Sequence, residues 1–300
     1  MDVSLAHLKA LSAVARHASF SRAAGELGVT QPAVSMQVRQ LEETLGQPLL
    51  ERVGKRAFPT KAGEILLEHA ARALHEIDAA VERVQELRGV MAGRVRLGTS
   101  ASISIYLLPP LLRRFRSRYP ATELVVVTGN APEIARAVVQ NELDVGIVSL
   151  PVRERELAVT PFVDDELVAI APPLPRWRRM KTIAAEDLAR EPLILYEPGG
   201  TVRRVIDGWF RRAGVAPARP MELGNTEAIK KLVEAGLGLS VTSWFSLKAE
   251  RRARLLAAIR LTPALVRKIG IIRRRDKPRT PALEAFHAGL EQLRASLSTR

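Results

Sequence analysis

The 300-residue chain has no cysteine, which excludes disulfides, iron–sulfur clusters, thiolate zinc sites and a cysteine nucleophile, and makes a reducing compartment the easiest fit. Long apolar runs are missing too. No stretch approaches the roughly 18 residues a membrane span needs, and the opening MDVSLAHLKALSAVARH mixes charge and histidine into its apolar pattern. The expectation is a cytoplasmic protein with no export signal and no membrane partner. Catalytic groups are scarce as well. His7, His17, His69 and His75 fall in N-terminal helices and His287 in the last one, with no partner at metal-ligand spacing, so all five read as surface or packing residues. Gly236-Leu237-Gly238 sits where a helix runs into a strand, the reverse of a dinucleotide-binding turn. Gly199-Gly200-Thr201 lacks the Gly-Lys-Ser/Thr that completes a phosphate loop. With no metal site, no cofactor site and no nucleophile or base to name, the chain does not read as an enzyme.

A one-signed charge is also absent where it is first sought. Net charge is +14, yet residues 1–90 hold 11 basic and 11 acidic side chains, so the excess lies wholly in residues 91–300. Any nucleic-acid role for the N-terminus must rest on pattern rather than bulk charge. The C-terminal excess fits a solvated arginine-rich surface, an anion-binding cleft or auxiliary phosphate contacts.

That N-terminal pattern is specific. Leu8, Leu11 and Ala15 mark one helix face, Ser19 caps a second helix that Gly28 stops, and Thr30 caps a third that opens on Gln31-Pro32. In the third helix Val34, Val38 and Leu41 form a buried stripe, leaving Pro32, Ser35, Met36 and Arg39 outward, as a helix-turn-helix requires. Residues 47–56 suit a basic hairpin or wing. Thr60 then caps a long helix in which Leu67, Ala70, Leu74, Ile77, Val81 and Val84 are spaced 3, 4, 3, 4, 3, a seam that fits either a paired coiled coil or an amphipathic helix packed on its own domain. Gly89 to Gly93 supplies a hinge.

From Arg94 strands and helices alternate, which predicts a mainly parallel sheet in two α/β lobes, with ligands bound at the carboxyl ends of the strands. Three helices are expected to begin just after strands on hydroxyl, glycine or amide residues: Ser100/Ser102, Gly199/Gly200/Thr201 and Asn225/Thr226. Free N–H donors there favour an anion, and capping explains the same residues individually. Thr128 and Ser149 at strand ends add hydroxyls, and Arg203 or Arg204 adds charge.

The run ASFSRAAGELGVTQPAVSMQVRQLEETLGQPLLER, followed by PTKAG, resembles the helix-turn-helix of the LysR-type transcriptional regulators, and the two-lobed remainder fits that family over essentially the whole chain. The resemblance implies an all-α winged helix-turn-helix over 1–59, a dimerising linker helix over 60–89 and a periplasmic-binding-protein-like (type 2) effector domain over 90–300. Its lobe I would span about 93–162 and 267–300, and its lobe II about 163–266. It places Gln31, Pro32, Ser35, Met36 and Arg39 on the recognition helix and Arg52, Lys55 and Arg56 on the wing, and implies homodimers or homotetramers, promoter DNA and RNA polymerase as partners. Leu50 stands where the family usually has Phe, and Phe58-Pro59-Thr60 where Leu-Thr is usual, changes that touch local packing. The segment MELGNTEAIKKLVEAGLGLS is similar to regulators of carbon-fixation operons, which respond to phosphorylated or other anionic metabolites. The expected effector is therefore a small anion held by Ser100, Ser102, Thr128, Ser149, Thr201, Arg203, Asn225 and Thr226. The competing expectation is a cytoplasmic solute-binding or enzymatic α/β protein with an accessory helical domain.

Overall fold

The computed structural model describes residues 3–54, 56–86, 93–278 and 280–298. Lys55 and most of the expected Gly89–Gly93 hinge therefore lie outside the described residues. The chain divides into two compact units, one mainly of residues up to 92 and one mainly of residues from 93 onward.

In the first unit, α1 (Leu5–His17), α2 (Phe20–Leu27) and α3 (Gln31–Leu45) each start on a hydroxyl that accepts a first-turn N–H: Ser4 from His7 at 3.2 Å, Ser19 from Arg22 at 3.4 Å, Thr30 from Ala33 at 3.4 Å. Gly28 and Gly46 close α2 and α3 in the left-handed region, at φ +67° and +65°. The three apolar stripes meet in one core through Leu11, Val14, Ala23, Val34, Val38 and Leu41. The wing is an antiparallel hairpin of β1 (Leu50–Val53) and β2 (Arg56–Pro59). Glu42 at the end of α3 anchors it, accepting from the Leu49 and Leu50 N–H groups at 2.8 and 3.2 Å. Thr60 Oγ1 accepts from Gly63 N–H at 3.1 Å as α4 (Lys61–Glu86) begins. A side chain at Gly63 would sit 2.0 Å from the Leu49 carbonyl oxygen, so only glycine lets α4 lie this close to the chain.

The seam of α4 divides in two. Leu67, Ala70 and Leu74 pack on the helix-turn-helix core, whereas Ile77, Val81 and Val84 are 39, 50 and 62% exposed.

The second unit opens with β3 (Gly93–Thr99), α5 (Ala101–Tyr106), α6 (Pro109–Arg118), β4 (Thr122–Thr128), α7 (Ala131–Val139) and β5 (Val145–Ser149). It continues through β6 (Leu157–Ala171), α8 (Pro175–Arg179), β7 (Thr182–Ala184), α9 (Ala185–Leu188), β8 (Ile194–Tyr196), α10 (Thr201–Arg212), β9 (Met221–Leu223) and α11 (Thr226–Glu234). Then come β10 (Ser240–Ser243), α12 (Lys248–Ala253), β11 (Ala257–Arg274) and α13 (Pro281–Ser298).

The expectation of a mainly parallel sheet is corrected here. β3 pairs parallel with β4 and β5, but β6 and β11 pair antiparallel over nearly their whole length, and each makes a further antiparallel pair, with β10 and β5 respectively. In sequence only the apolar ends of these two strands stand out, because their centres carry Asp164-Asp165-Glu166 and Arg267-Lys268 and read as loop. Both strands run through two cores. Phe162, Ile269 and Ile271 belong to one with Leu97, Ile103 and Phe286, while Leu167, Ala169, Ile259 and Leu265 belong to another with Trp209 and Phe210. At the switch between cores, Arg267 stands opposite Asp165 in the ladder and donates to it through Nε at 2.9 Å. Ser243 Oγ donates to the other Asp165 oxygen at 2.7 Å. The pair is buried but fully partnered, which is the condition for keeping a charge inside a protein.

Candidate DNA interface and effector cleft

On α3 the buried stripe of Val34, Val38 and Leu41 turns Gln31, Pro32, Met36 and Arg39 outward to solvent, with Met36 57% exposed. Ser35 is half-buried and accepts from Gln31 Nε2 at 2.8 Å, so these two polar tips are held together at the helix start. Arg39 pairs one turn on with Glu43 at 2.9 Å, with both side chains largely exposed, and an exposed pair of this kind yields readily to a phosphate. On the wing Arg52 and Arg56 are exposed, and Lys55 lies outside the described residues. The Arg52 guanidinium lies 5.2 Å from the centroid of the Phe20 ring at the start of α2, a cation–π contact that couples wing to helix. Phe20 and Glu42 carry no signal in the sequence pattern, because one acts across the fold and the other through its carboxylate on two backbone N–H groups.

In the second unit the eight expected effector residues are distributed unevenly. Ser100 Oγ accepts from Ile103 N–H at 3.4 Å and lies 3.3 Å from Ser102 Oγ. Asn225 Oδ1 accepts from the Glu227 and Ala228 N–H groups at 2.8 and 3.3 Å. These two side chains therefore occupy donors that an anion would need. Thr201 is not the cap of α10: that position is Gly200, and no side chain caps the helix. The three N-termini expected to share one anion thus differ, α10 alone among them being left open by side chains. Thr226 Oγ1 is 3.0 Å from the Tyr196 hydroxyl, which also lies 2.9 Å from Thr242 Oγ1. Ser149 is buried and Thr128 exposed, each ending its strand. Arg203 is corrected as a free charge: its guanidinium binds Asp207 and Glu222, each at 2.8 Å, and the Tyr196 carbonyl.

A cleft of about 490 Å³ opens in front of α10, lined by Thr201 and Arg204 on one side and by Pro132, Leu150, Arg153 and Glu154 on the other. Arg204 there donates to Thr201 Oγ1 at 3.2 Å. Of the expected residues only Thr201 lines this cleft. A second polar cluster joins α5 to α11. Tyr106 donates to Glu227, and the buried Lys230 ammonium reaches Glu227 at 2.8 Å, Glu250 at 2.7 Å and the Ser246 carbonyl at 3.0 Å. Burial, then the Glu227 carboxylate, raises the Tyr106 pKa and keeps its hydroxyl a donor. Burial raises the Glu227 pKa as well, but hydrogen bonds from Lys230 and Tyr106 prevail and hold it below the usual carboxylate range.

Residues 5–64 match the bacterial regulatory helix-turn-helix proteins of the LysR family, and residues 88–294 match the LysR substrate binding domain. The chain belongs to the LysR family. It is 35% identical over 288 residues to a protein named RuBisCO operon transcriptional regulator from Allochromatium vinosum, covering 95% of each chain. Its fold is that of full-length OxyR from Pseudomonas aeruginosa (TM-score 0.79, 23% identity, 98% of this chain and 95% of that one). It is also that of CbnR crystallised with its target DNA (TM-score 0.64, 24% identity, 97% and 99%). This LysR-type chain is a DNA-binding transcriptional regulator rather than an enzyme, with an effector-binding domain behind its helix-turn-helix. Among its described residues no helix is long and apolar enough to cross a membrane.

Proposed function

We propose that this LysR-type regulator works in the cytoplasm as a homodimer or homotetramer that reads a small anionic metabolite and sets the activity of RNA polymerase at a promoter, with a carbon-fixation operon the first target to test. The single observation that carries the anion is the start of α10: its first-turn N–H groups have no side-chain cap, and Thr201 and Arg204 stand beside them in the cleft. Such a terminus offers oriented donors and positive potential, while Arg204 and Arg153 outweigh the one carboxylate, Glu154. Ser100, Ser102, Thr128, Ser149, Asn225 and Thr226 then act as a scaffold around the site more than as first contacts. On the DNA side, α3 enters the major groove with Gln31, Pro32, Ser35, Met36 and Arg39, while Arg52, Lys55 and Arg56 engage backbone phosphates. Target assignment rests on the names carried by relatives about one-third identical over nearly full length.

A thermal-shift screen of sugar phosphates, organic acids, nucleotides and inorganic anions tests the effector reading, since a ligand bound only by the folded state raises its melting temperature. An anion that stabilises the wild type is expected to lose most of that effect in Arg204→Ala and Thr201→Ala, with DNA affinity unchanged in the absence of ligand. Stabilisation by a neutral or cationic compound, indifferent to both substitutions, would overturn it. Gel shifts with genomic fragments test the target.

A further inference from the structure

The +14 charge of the chain is concentrated in one place that neither the helix-turn-helix nor the cleft uses. Residues 172–181 and 248–260 contain seven arginines, two lysines and a single acidic residue, so 23 residues carry +8 of the +14. The fold brings these two stretches together. Arg178 on α8 donates to the Arg254 carbonyl just after α12 at 2.9 Å, and the Arg260 N–H of β11 donates to the Lys181 carbonyl at 3.2 Å. All nine cationic side chains belong to exposed residues, and the one acidic residue, Glu250, is turned inward onto Lys230. Arg176 and Arg260 have ion-pair partners, Glu191 at 3.7 Å and Glu166 at 3.4 Å, both too long for a good hydrogen bond or at its limit. Two guanidiniums are already fixed: Arg176 lies 4.2 Å from the Trp177 ring centroid and Arg251 3.8 Å from that of Trp244. A stacked guanidinium keeps its N–H edge free for an oxyanion and loses little freedom on binding one.

We infer that this face of the second unit is a binding surface for the phosphate backbone of duplex DNA, additional to the helix-turn-helix. Like charges held this close repel one another, and a dense polyanion relieves that repulsion. Arginine outnumbers lysine by seven to two, as suits planar, bidentate pairing with phosphate. The chain already holds duplex DNA through its first unit, so DNA beyond the operator is presented to the patch at high local concentration, by the same chain or by another copy in an assembly. The exposed apolar residues of the patch, Leu174, Met180 and Leu255, are separated singly among the cations, which favours a polar polyanion over an apolar-lined protein or membrane surface.

The test is a salt titration of full-length protein on random-sequence duplex DNA, once on a long duplex and once on one barely longer than a helix-turn-helix footprint. The variant Arg179→Gln/Lys181→Gln/Lys248→Gln/Arg252→Gln removes four exposed charges that make no ion pair among the described residues. Each phosphate that the protein ceases to neutralise lowers the slope of log affinity against log salt by about 0.9, so a fall of about 2 to 4 units is expected on the long duplex and less than about 1 on the short one. Arg179→Lys/Arg252→Lys keeps the charge and is expected to keep the slope. Should the fourfold variant melt early, Arg179→Gln/Arg252→Gln is expected to lose about 2 units by the same rule. Equal slopes and affinities for variant and wild type on the long duplex overturn the inference. So does a variant that keeps DNA binding while losing capture of RNA polymerase, an outcome that would assign the patch to an acidic protein.

Discussion

At the wing, the Arg52 guanidinium is parked 5.2 Å from the Phe20 ring, so it is ordered before DNA arrives and little freedom is lost when it meets a phosphate. Arg52→Ala is expected to lower the salt slope of DNA binding by about one unit and to weaken specific and random-sequence binding together, which anisotropy titrations at several salt concentrations measure. Phe20→Ala should reproduce part of that loss with the charge retained. A different residue governs the response to pH. Lys277 is buried against Asp144 at 2.7 Å, and burial, with Arg96 and Arg274 nearby, prevails over that carboxylate and lowers its pKa from 10.5 to about 8. Between about pH 8 and 10.5 the unfolded chain therefore holds a proton that the folded chain has released, so stability rises with pH across that window, by about 2–3 kcal/mol at most. Chemical denaturation at pH 8 and 10 is expected to show the rise in the wild type and to find it flattened in Lys277→Met. Of these residues only Arg52 was legible in the sequence, where Lys277 and Phe20 are ordinary. Arg203 shows the same limit in reverse: its charge was visible, and the two carboxylates that neutralise it come from one turn along α10 and from β9.

Among the elements, α2 and α3 could be read from sequence almost to the residue, because each carries its own start and stop: Ser19 and Gly28, Thr30 and Gly46. Local signals of that kind need no partner. The spacing of α4 was equally plain, yet spacing alone could not say which part of the seam serves its own domain. Leu67, Ala70 and Leu74 do so, and Ile77, Val81 and Val84 are left to solvent in a single chain. A double substitution Val81→Glu/Val84→Glu should thus leave the fold of one chain intact while placing charges in any paired seam, which costs several kcal/mol there. Sedimentation should show loss of self-association, and operator affinity should fall with it; an unchanged oligomer would remove α4 from the interface. For the effector residues, the sequence located helix starts but not the atoms that fill them. Ser100 and Asn225 are occupied by their own helices, and the glycine start of α10, the least conspicuous of the three, is the one no side chain caps.

For the effector unit as a whole, two features decide how it responds. The first is the tie from Tyr106 to Glu227 and Lys230, which links a helix of one lobe to a helix of the other. Tyr106→Phe removes a hydrogen bond to a charged group, worth about 1.5–3 kcal/mol, and is expected to speed amide exchange at the start of α11 in the ligand-free protein. Unchanged exchange would mean that the lobes are held by other interactions. An effector that favours one lobe arrangement must act against this tie or through it, since equal affinity for both arrangements moves nothing. The second feature is the long antiparallel pair of β6 and β11, whose paired residues lie roughly a hundred positions apart in the chain, a separation that slows folding. On the ribosome neither lobe can finish its core until the strand ending at Arg274 has emerged, since Ile259 and Leu265 belong to one core and Ile269 and Ile271, with Phe286 of α13 still to follow, to the other. A nascent chain stopped after β10 would display one bare edge of β6 and two half-built interiors, a surface for chaperones to hold and for aggregation to find. Synthesis of this sensor is thus nearly all-or-nothing: a truncated product retains a helix-turn-helix able to occupy DNA but no lobe able to hear a signal.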